Sequence, residues 1–459
     1  MTPRDYPQAA ARILQEHPEM REAVTGATLA FDLHRRQAYG EIEADRWRDW
    51  AVEVKNHLLT HLDAYLEEAE RNLRAHGVEV HWAETAEEAL AVLDRLVLAH
   101  QVKRAVKAKS MLSEELGLNA LLEHLGVEVV ETDLGEYILQ LLEEPPSHIV
   151  GPAIHRSLKE IQELFHARFQ TPPEATPEEL AAWARRLLRE KFLTADLGIS
   201  GANFVVAETG TLALMENEGN IRLSTSLPRL HVAFVGIEKL LPRLSDLAIF
   251  LSLTARAATG QRLGNYVSLI QGPRRGESEG PEEVHVVFVD NGRSAVLADP
   301  KAWETLRCVR CGACLNACPV YRQTGGHPYG HPYSGPIGSV LVPGLIGLPE
   351  ALPLPYASSL CGACQEACPV RIPIPKLLLD WRARAVEEHL TPFSELRAIE
   401  LYTQIMTHPW AYRWASRMLR TAPGLLRSSF LPLLRDWNQG RAPLDPSPKS
   451  FHELWRQGL

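Results

Sequence analysis

The seven cysteines all fall between Cys308 and Cys368. The first four form the run Cys308-x2-Cys311-x2-Cys314-x3-Cys318-Pro319. Three thiolates at steps of three let one tight loop wrap a single iron–sulfur cubane, and the fourth, on the departing segment, faces a second cluster. Pro319 then redirects the chain where a helix cannot continue. A second copy follows as Cys361-x2-Cys364-x3-Cys368-Pro369, with Ser358 where its first ligand would stand. Residues 311–320 and 361–370 differ only at Leu315/Gln365 and Asn316/Glu366, so the repeat predicts two related sites. By the crossed pattern, Cys308, Cys311, Cys314 and Cys368 hold one cluster, and Cys318, Cys361 and Cys364 the other. The Ser358 corner has three readings: weak ligation by its hydroxyl, ligation by another group, or a [3Fe–4S] cluster. Zinc also takes four-cysteine sites, but seven thiolates do not divide into closed tetrahedra, and no C-x-x-C-H haem motif occurs. Two clusters in one small domain form an electron relay.

Other residues offer weaker chemistry. The loop 324–338 carries His327, Tyr329, His331 and Tyr333, as fourth-ligand candidates or as packing over the clusters. Lys107, Lys109 and Ser110 end one predicted strand, and Ser200, Thr209 and Thr211 lie in Gly/Ser/Thr-rich turns; both sets suit a small anion. Asp133 reads as a helix cap and Glu136 as a candidate acid/base group. No Walker A sequence and no strand-linked G-x-G-x-x-G occurs, so ATP or NAD binding lacks a motif.

The elements that position these residues change character along the chain. Residues 1–76 read as helical, with one long amphipathic pattern over 42–76. Strand patterns over 78–82, 102–107, 127–131, 148–150, 204–207, 211–216, 221–223, 231–235, 266–271 and 284–289 alternate with helical ones. The helices are predicted over 85–100, 113–125 (capped by Ser113), 135–142, 155–168, 177–196, 237–241 and 244–259. Such alternation predicts an α/β layer architecture with a largely parallel sheet. Residues 338–356, rich in Pro and Gly, read as an irregular buried loop. Beyond 393 the chain reads helical. Trp410, Trp414, Leu419, Leu425, Leu426, Leu431 and Leu434 interleave there with Arg413, Arg417, Arg420, Arg427 and Arg435, as an arm docked over the clusters or a surface for a membrane or an acidic partner.

The 459 residues, 45% hydrophobic and 23% charged, suit a globular chain of several domains. A formal charge of -9 argues against nucleic-acid binding. No apolar run follows Met1, and none is long enough to span a bilayer, so neither a secretory signal nor a transmembrane helix is expected. A cytoplasmic location is expected.

Taken together, KAKSMLSEELGLN, ETDLGEYILQL, PSHIVGPAIH, DLGISGANFVVAETGTLALMENEGN and the two cysteine motifs are distinctive. With them the chain resembles the lactate utilisation protein B family over nearly its full length. The resemblance implies an α/β LUD domain similar to sugar-phosphate isomerases and coenzyme A transferases. N-terminal helices would precede it, and an α-helical twin-cluster ferredoxin-like domain and a C-terminal helical arm would follow. The expected boundaries are 1–76, 77–295, 296–392 and 393–459. The implied role is an iron–sulfur electron-transfer subunit, with two [4Fe–4S] clusters, in a complex oxidising L-lactate to pyruvate. Its companions would be a CCG-domain protein and a small LUD protein. The residues leave open another 2-hydroxy acid such as glycolate, or a non-catalytic redox and anion sensor.

Overall fold

A computed structural model of the chain describes residues 1–276, 279–421 and 447–458. Ten strands are present among them: β1 (Glu79–Ala83), β2 (Arg104–Lys107), β3 (Glu128–Glu131), β4 (Leu197–Ser200), β5 (Phe204–Val206), β6 (Thr211–Glu216), β7 (Leu230–Gly236), β8 (Leu240–Leu241), β9 (Tyr266–Ile270) and β10 (Glu283–Val289). Six form an all-parallel sheet in the order β1-β10-β7-β4-β2-β3. The others form a second, mixed sheet, β8-β5-β6-β9.

The parallel sheet is buried on both faces, which is why β7 and β10 read as nearly unbroken apolar runs. Side chains alternate between faces. Leu197, Ile199, Val232, Phe234, Val287 and Val289 join the core under the helix Ala86–Ala99. Val80, Ala233, Val235, Val284, Val286 and Phe288 pack against Leu58, Leu62 and Leu73 of the N-terminal helices. The connections from β2 and β4 leave in opposite directions, β2 toward β3 and β4 toward β7. Their loops therefore part at the carboxyl edge and open a crevice, the usual place for a ligand in such sheets.

Several local expectations are corrected. The pattern over 42–76 is two helices, Ala44–Thr60 and Leu62–Ala75, broken at His61. Ser110, not Ser113, caps the helix Met111–Leu116, its Oγ accepting from Ser113 N–H at 3.4 Å. Left-handed Gly117 then separates that helix from Leu118–His124. Residues 148–150 form a turn, because His148 Nδ1 accepts from the N–H groups of Val150 and Gly151, both at 3.1 Å. Residues 221–223 lie in a helix, Asn220–Ser226, started by the Glu216 carboxylate, which accepts from the Ile221 and Arg222 N–H groups at 2.6 and 2.9 Å. Residues 237–241 form a 3₁₀ turn and the short strand β8. Residues 338–356 are mostly helical, within Gly335–Ile346 and Leu348–Ala351. Pro336 sits in the first turn, where its missing N–H is harmless, and a helix this apolar is stable because it is buried from Gly335 to Pro343.

The chain divides into two compact units, Met1–Arg384 and Ala385–Leu459. The sheet and all seven cysteines lie in the first. The second contains the helices Phe393–Thr407, Pro409–Thr421 and Phe451–Arg456, with Trp410 and Trp414 exposed and Arg420 paired to Glu453. Leu425, Leu426, Arg427, Leu431, Leu434 and Arg435 lie outside the described residues. No helix among the described residues is long and apolar enough to cross a membrane.

Candidate metal centre

Each cysteine motif folds in the same way. The residue before its first cysteine of the repeat, Arg310 or Leu360, has a positive φ (59° and 54°), and so does the glycine after it (Gly312, 75°). Left-handed backbone at a non-glycine residue is strained and persists where surrounding structure enforces it, often at functional sites. A short helix follows, Ala313–Ala317 or Ala363–Ala367. The last cysteine then leaves in extended conformation. Backbone N–H groups turn toward sulfur: Arg310 to Cys308, Tyr321 to Cys318 and Ile372 to Cys368, each at 3.4 Å.

These loops bring Cys308, Cys311, Cys314 and Cys368 around one small cavity, with apolar walls that include Ile149, Ile337 and Ile372. Cys368 arrives from the second copy. Burial pushes the Cys311 thiol up, and Cys368 raises it further; Cys368 itself is pushed up to about 11 by burial. Burial also raises Cys318, with Cys361 adding to the effect, and takes Cys364 up to about 12, with Cys318 adding next. Only Cys361 among the shifted thiols moves down, through the Ala363 N–H, and it is exposed. Buried thiols of this kind stay protonated unless a cation takes the proton's place. Four soft sulfur donors converging on an apolar cavity fit iron–sulfur or zinc ligation and not hard cations such as magnesium. All seven cysteines are free, as such ligation requires.

Ser358 is half-buried, and its Oγ accepts from Leu360 N–H at 3.1 Å, fastening the turn into Cys361. The loop 324–338 docks on the α/β framework. His327 Nε2 meets the Pro145 carbonyl at 2.9 Å, and Tyr333 donates to Glu115 at 2.6 Å. None of His327, Tyr329, His331 and Tyr333 lines the four-cysteine cavity.

Residues far away in sequence hold the loops. Arg48 donates to the Cys368 carbonyl (3.0 and 2.9 Å) and to Glu366 O (2.9 Å), closing the end of the second short helix. Asn316 links His148 Nε2 (3.1 Å) to the Ala258 carbonyl (3.1 Å). Burial holds His148 down to about 4, so its ring is neutral and its Nδ1 free to accept. Sequence reasoning passed over both anchors. Asn316 carried a signal, being one of the two mismatches between the repeats.

The crevice at the carboxyl edge of the parallel sheet is lined by Lys109, Ser110 and Ser200, and also by Asn203, Glu238, Lys239, Arg293 and Arg310. Lys109 pairs with Asp133 at 2.7 Å. Lys107 does not reach the crevice. Its ammonium is buried between Glu114 (2.8 Å) and Glu131 (2.9 Å), which outweigh the burial that opposes its charge. Thr209 and Thr211 bond to each other at 2.7 Å away from the crevice. Asp133 caps the helix Leu134–Leu142. Glu136 is buried, and burial together with Glu131 raises its pKa. A Cβ at Gly236 would lie 2.3 Å from Glu238 Oε2 and 2.8 Å from Arg293 Nε, so a side chain there would displace that ion pair.

Residues 66–289 match the LUD domain, 304–372 the 4Fe-4S dicluster domain, and 385–458 the C-terminal region of lactate utilisation protein B. The chain is 41% identical over 451 residues to "Uncharacterized electron transport protein YkgF" of Escherichia coli (96% of this chain, 94% of that one). It is 46% identical over 404 residues to "Lactate utilization protein B" of Bacillus velezensis (87% and 84%). It is 43% identical over 452 residues to the protein of that name in Geobacillus sp. strain WCH70 (95% and 94%). On this evidence of sequence and shared domains, the chain belongs to the lactate utilisation protein B family.

Proposed function

We propose that the chain is the iron–sulfur electron-transfer subunit of a cytoplasmic complex oxidising L-lactate to pyruvate, with a CCG-domain protein and a small LUD protein as companions. The observation that carries the reading is the convergence of Cys308, Cys311, Cys314 and Cys368 on one cavity, a donor set assembled from both copies of the motif. Cys318, Cys361 and Cys364 supply the second set, with Ser358 beside its remaining corner. Bound there, [4Fe–4S] clusters would supply one-electron relay chemistry, which protein ligands, burial and hydrogen bonds tune. The chain's own part is to gather the sulfurs, direct N–H groups at them and bury them among apolar side chains. The exposure of Cys361 supports a reading in which the second set faces a partner, while the first set abuts the sheet crevice. The relatives' names support lactate utilisation as the process, and seven unpaired thiols suit a reducing compartment. The parallel sheet is compatible with the likeness to sugar-phosphate isomerases and coenzyme A transferases.

The test is growth on L-lactate as sole carbon source. Cys311→Ser and Cys364→Ser should each abolish it, and full growth of both variants would remove the relay. Reduction of the reconstituted complex by lactate but not glycolate fixes the substrate; the reverse reassigns it.

A further inference from the structure

The amino edge of the parallel sheet, away from the crevice, brings together three side chains that the proposed relay does not use. Glu283 and His285 begin β10, and His100 caps the carboxyl end of the helix Ala86–Ala99. One carboxylate oxygen, Glu283 Oε2, lies 3.4 Å from His100 Nε2 and 3.4 Å from His285 Nε2. The three ligand atoms all lie within 4.8 Å of one another. His285 is only 5% exposed, and its Nε2 makes no hydrogen bond among the described residues. A buried polar atom without a partner is rare and calls for an explanation.

Separations of 3.4 Å are long for a nitrogen–oxygen hydrogen bond. They match the edge of a tetrahedron around zinc, about 3.3–3.4 Å when the bonds are about 2.0–2.1 Å. The other nitrogen of His285 is placed as a ligand's is. Its Nδ1 lies 3.0 Å from His81 Nε2, and the two rings stack with centroids 5.3 Å apart. A metal-bound histidine donates its second ring N–H to such an acceptor, which fixes the tautomer. With the proton on Nδ1, His285 Nε2 turns a lone pair toward a carboxylate oxygen, and a cation between them resolves the repulsion. With the proton on Nε2, the N–H would serve Glu283, yet no hydrogen bond is made there. Neighbouring cations are turned elsewhere: Arg229 donates to the His100 carbonyl at 2.6 Å and Arg74 to Glu70 at 2.9 Å, while Arg95 bears on His81. Glu79, opposite His285 in the register of β1 and β10, adds a second carboxylate, which Arg74 reaches at 3.9 Å. Two imidazoles and one carboxylate suit zinc, whereas magnesium and calcium take oxygen ligands.

We infer that His100, Glu283 and His285 bind one zinc ion, with water in the fourth position and His81 holding His285 from behind. The Glu283 side chain is 50% exposed, so the ion enters from solvent. Once bound, it ties the end of the helix Ala86–Ala99 to the start of β10. The assignment does not rest on the proposed relay.

The test is calorimetric titration of anaerobically purified, cluster-loaded full-length protein with zinc chloride, with iron counted before and after. One zinc should bind per chain without loss of iron. Its X-ray absorption should show nitrogen and oxygen at about 2.0–2.1 Å and no sulfur at about 2.3 Å. Zinc should also raise the thermal unfolding midpoint. His100→Ala, at the more exposed of the two histidines, and Glu283→Gln should each weaken binding tenfold or more and remove that rise, with iron and the EPR spectrum unchanged. His124→Ala, at an exposed histidine elsewhere, should bind as the parent does. No zinc uptake, a sulfur shell with iron lost in proportion, or full binding by both site variants would overturn the assignment.

Discussion

Replacing Arg293 with methionine should destabilise the first unit by about 3–5 kcal/mol, the cost of breaking a buried ion pair from one side. The arginine side chain is 1% exposed. Its Nη1 and Nη2 grip both oxygens of Glu115 at 2.9 and 2.7 Å, and its Nε donates to Glu238 at 2.9 Å. The Glu115 side chain is 3% exposed and keeps only neutral donors, Tyr333 OH at 2.6 Å and Asn291 Nδ2 at 2.7 Å, once the guanidinium is gone. Glu238 retains its ion pair with Arg310, with Lys239 nearby. With a urea slope of about 3 kcal/mol/M, the midpoint should fall by roughly 1–1.7 M, read by tryptophan fluorescence under anaerobic conditions. Adding Glu115→Gln to Arg293→Met removes the stranded charge and should recover at least half of the loss. Burial opposes ionisation of Glu238, but Arg293 and then Arg310 overcome it and hold the carboxyl down to about 2. A depressed carboxylate stabilises fully above its unfolded value near 4.5 and loses that contribution as the pH falls toward 2. The gap between parent and variant should therefore close below about pH 4. A loss under about 1 kcal/mol at pH 7 would mean that water reaches these carboxylates and that the network is not the clamp the distances describe.

Two further predictions concern other parts of the first unit. His231 is fully buried, and burial holds it down to about 4. Its contribution is complete above 6.5 and lost as the pH falls toward 4, a loss of about 3 kcal/mol; His231→Gln should flatten stability against pH over that window, and an unchanged slope would contradict the assignment. Cys368→Ser should erase the EPR signal of the cluster bound by the first motif and spare the other, while Cys318→Ser does the reverse. Loss of the second motif's cluster on changing Cys368 would refute crossed ligation.

The sequence carried the site's chemistry more fully than its geometry. The cysteine spacing was readable because ligand number and loop length are local properties. So was β10, whose apolar run is what two buried faces require. The strand β4 does not show in the sequence because LGIS is short, contains Gly198 and is flanked by Asp196 and Gly201. The helix Asn220–Ser226 was misread as a strand because its start depends on Glu216, a contact that β-branched composition does not reveal. The helix Gly335–Ile346 is hidden by its prolines and glycines: Pro336 sits in the first turn, Pro343 lies within the helix, and Gly338 and Gly344 allow close packing against Tyr333 and Val296. Lys107 and Lys109 looked equivalent in sequence. Only the fold shows that Lys107 turns into a carboxylate cluster while Lys109 reaches the crevice. Arg48, Lys239 and Arg310 depend on long-range docking and left no local mark, although Lys239 follows a strand's carboxyl end as Lys109 does.

The central claim is that this chain holds two iron–sulfur clusters as a relay. The most direct measurement is iron and acid-labile sulfide per chain on anaerobically purified protein, with EPR before and after reduction. The account predicts about eight irons and two interacting reduced signals, or about seven irons and an oxidised [3Fe–4S] signal if the corner beside Ser358 is open. Bound zinc with neither iron nor sulfide would contradict it.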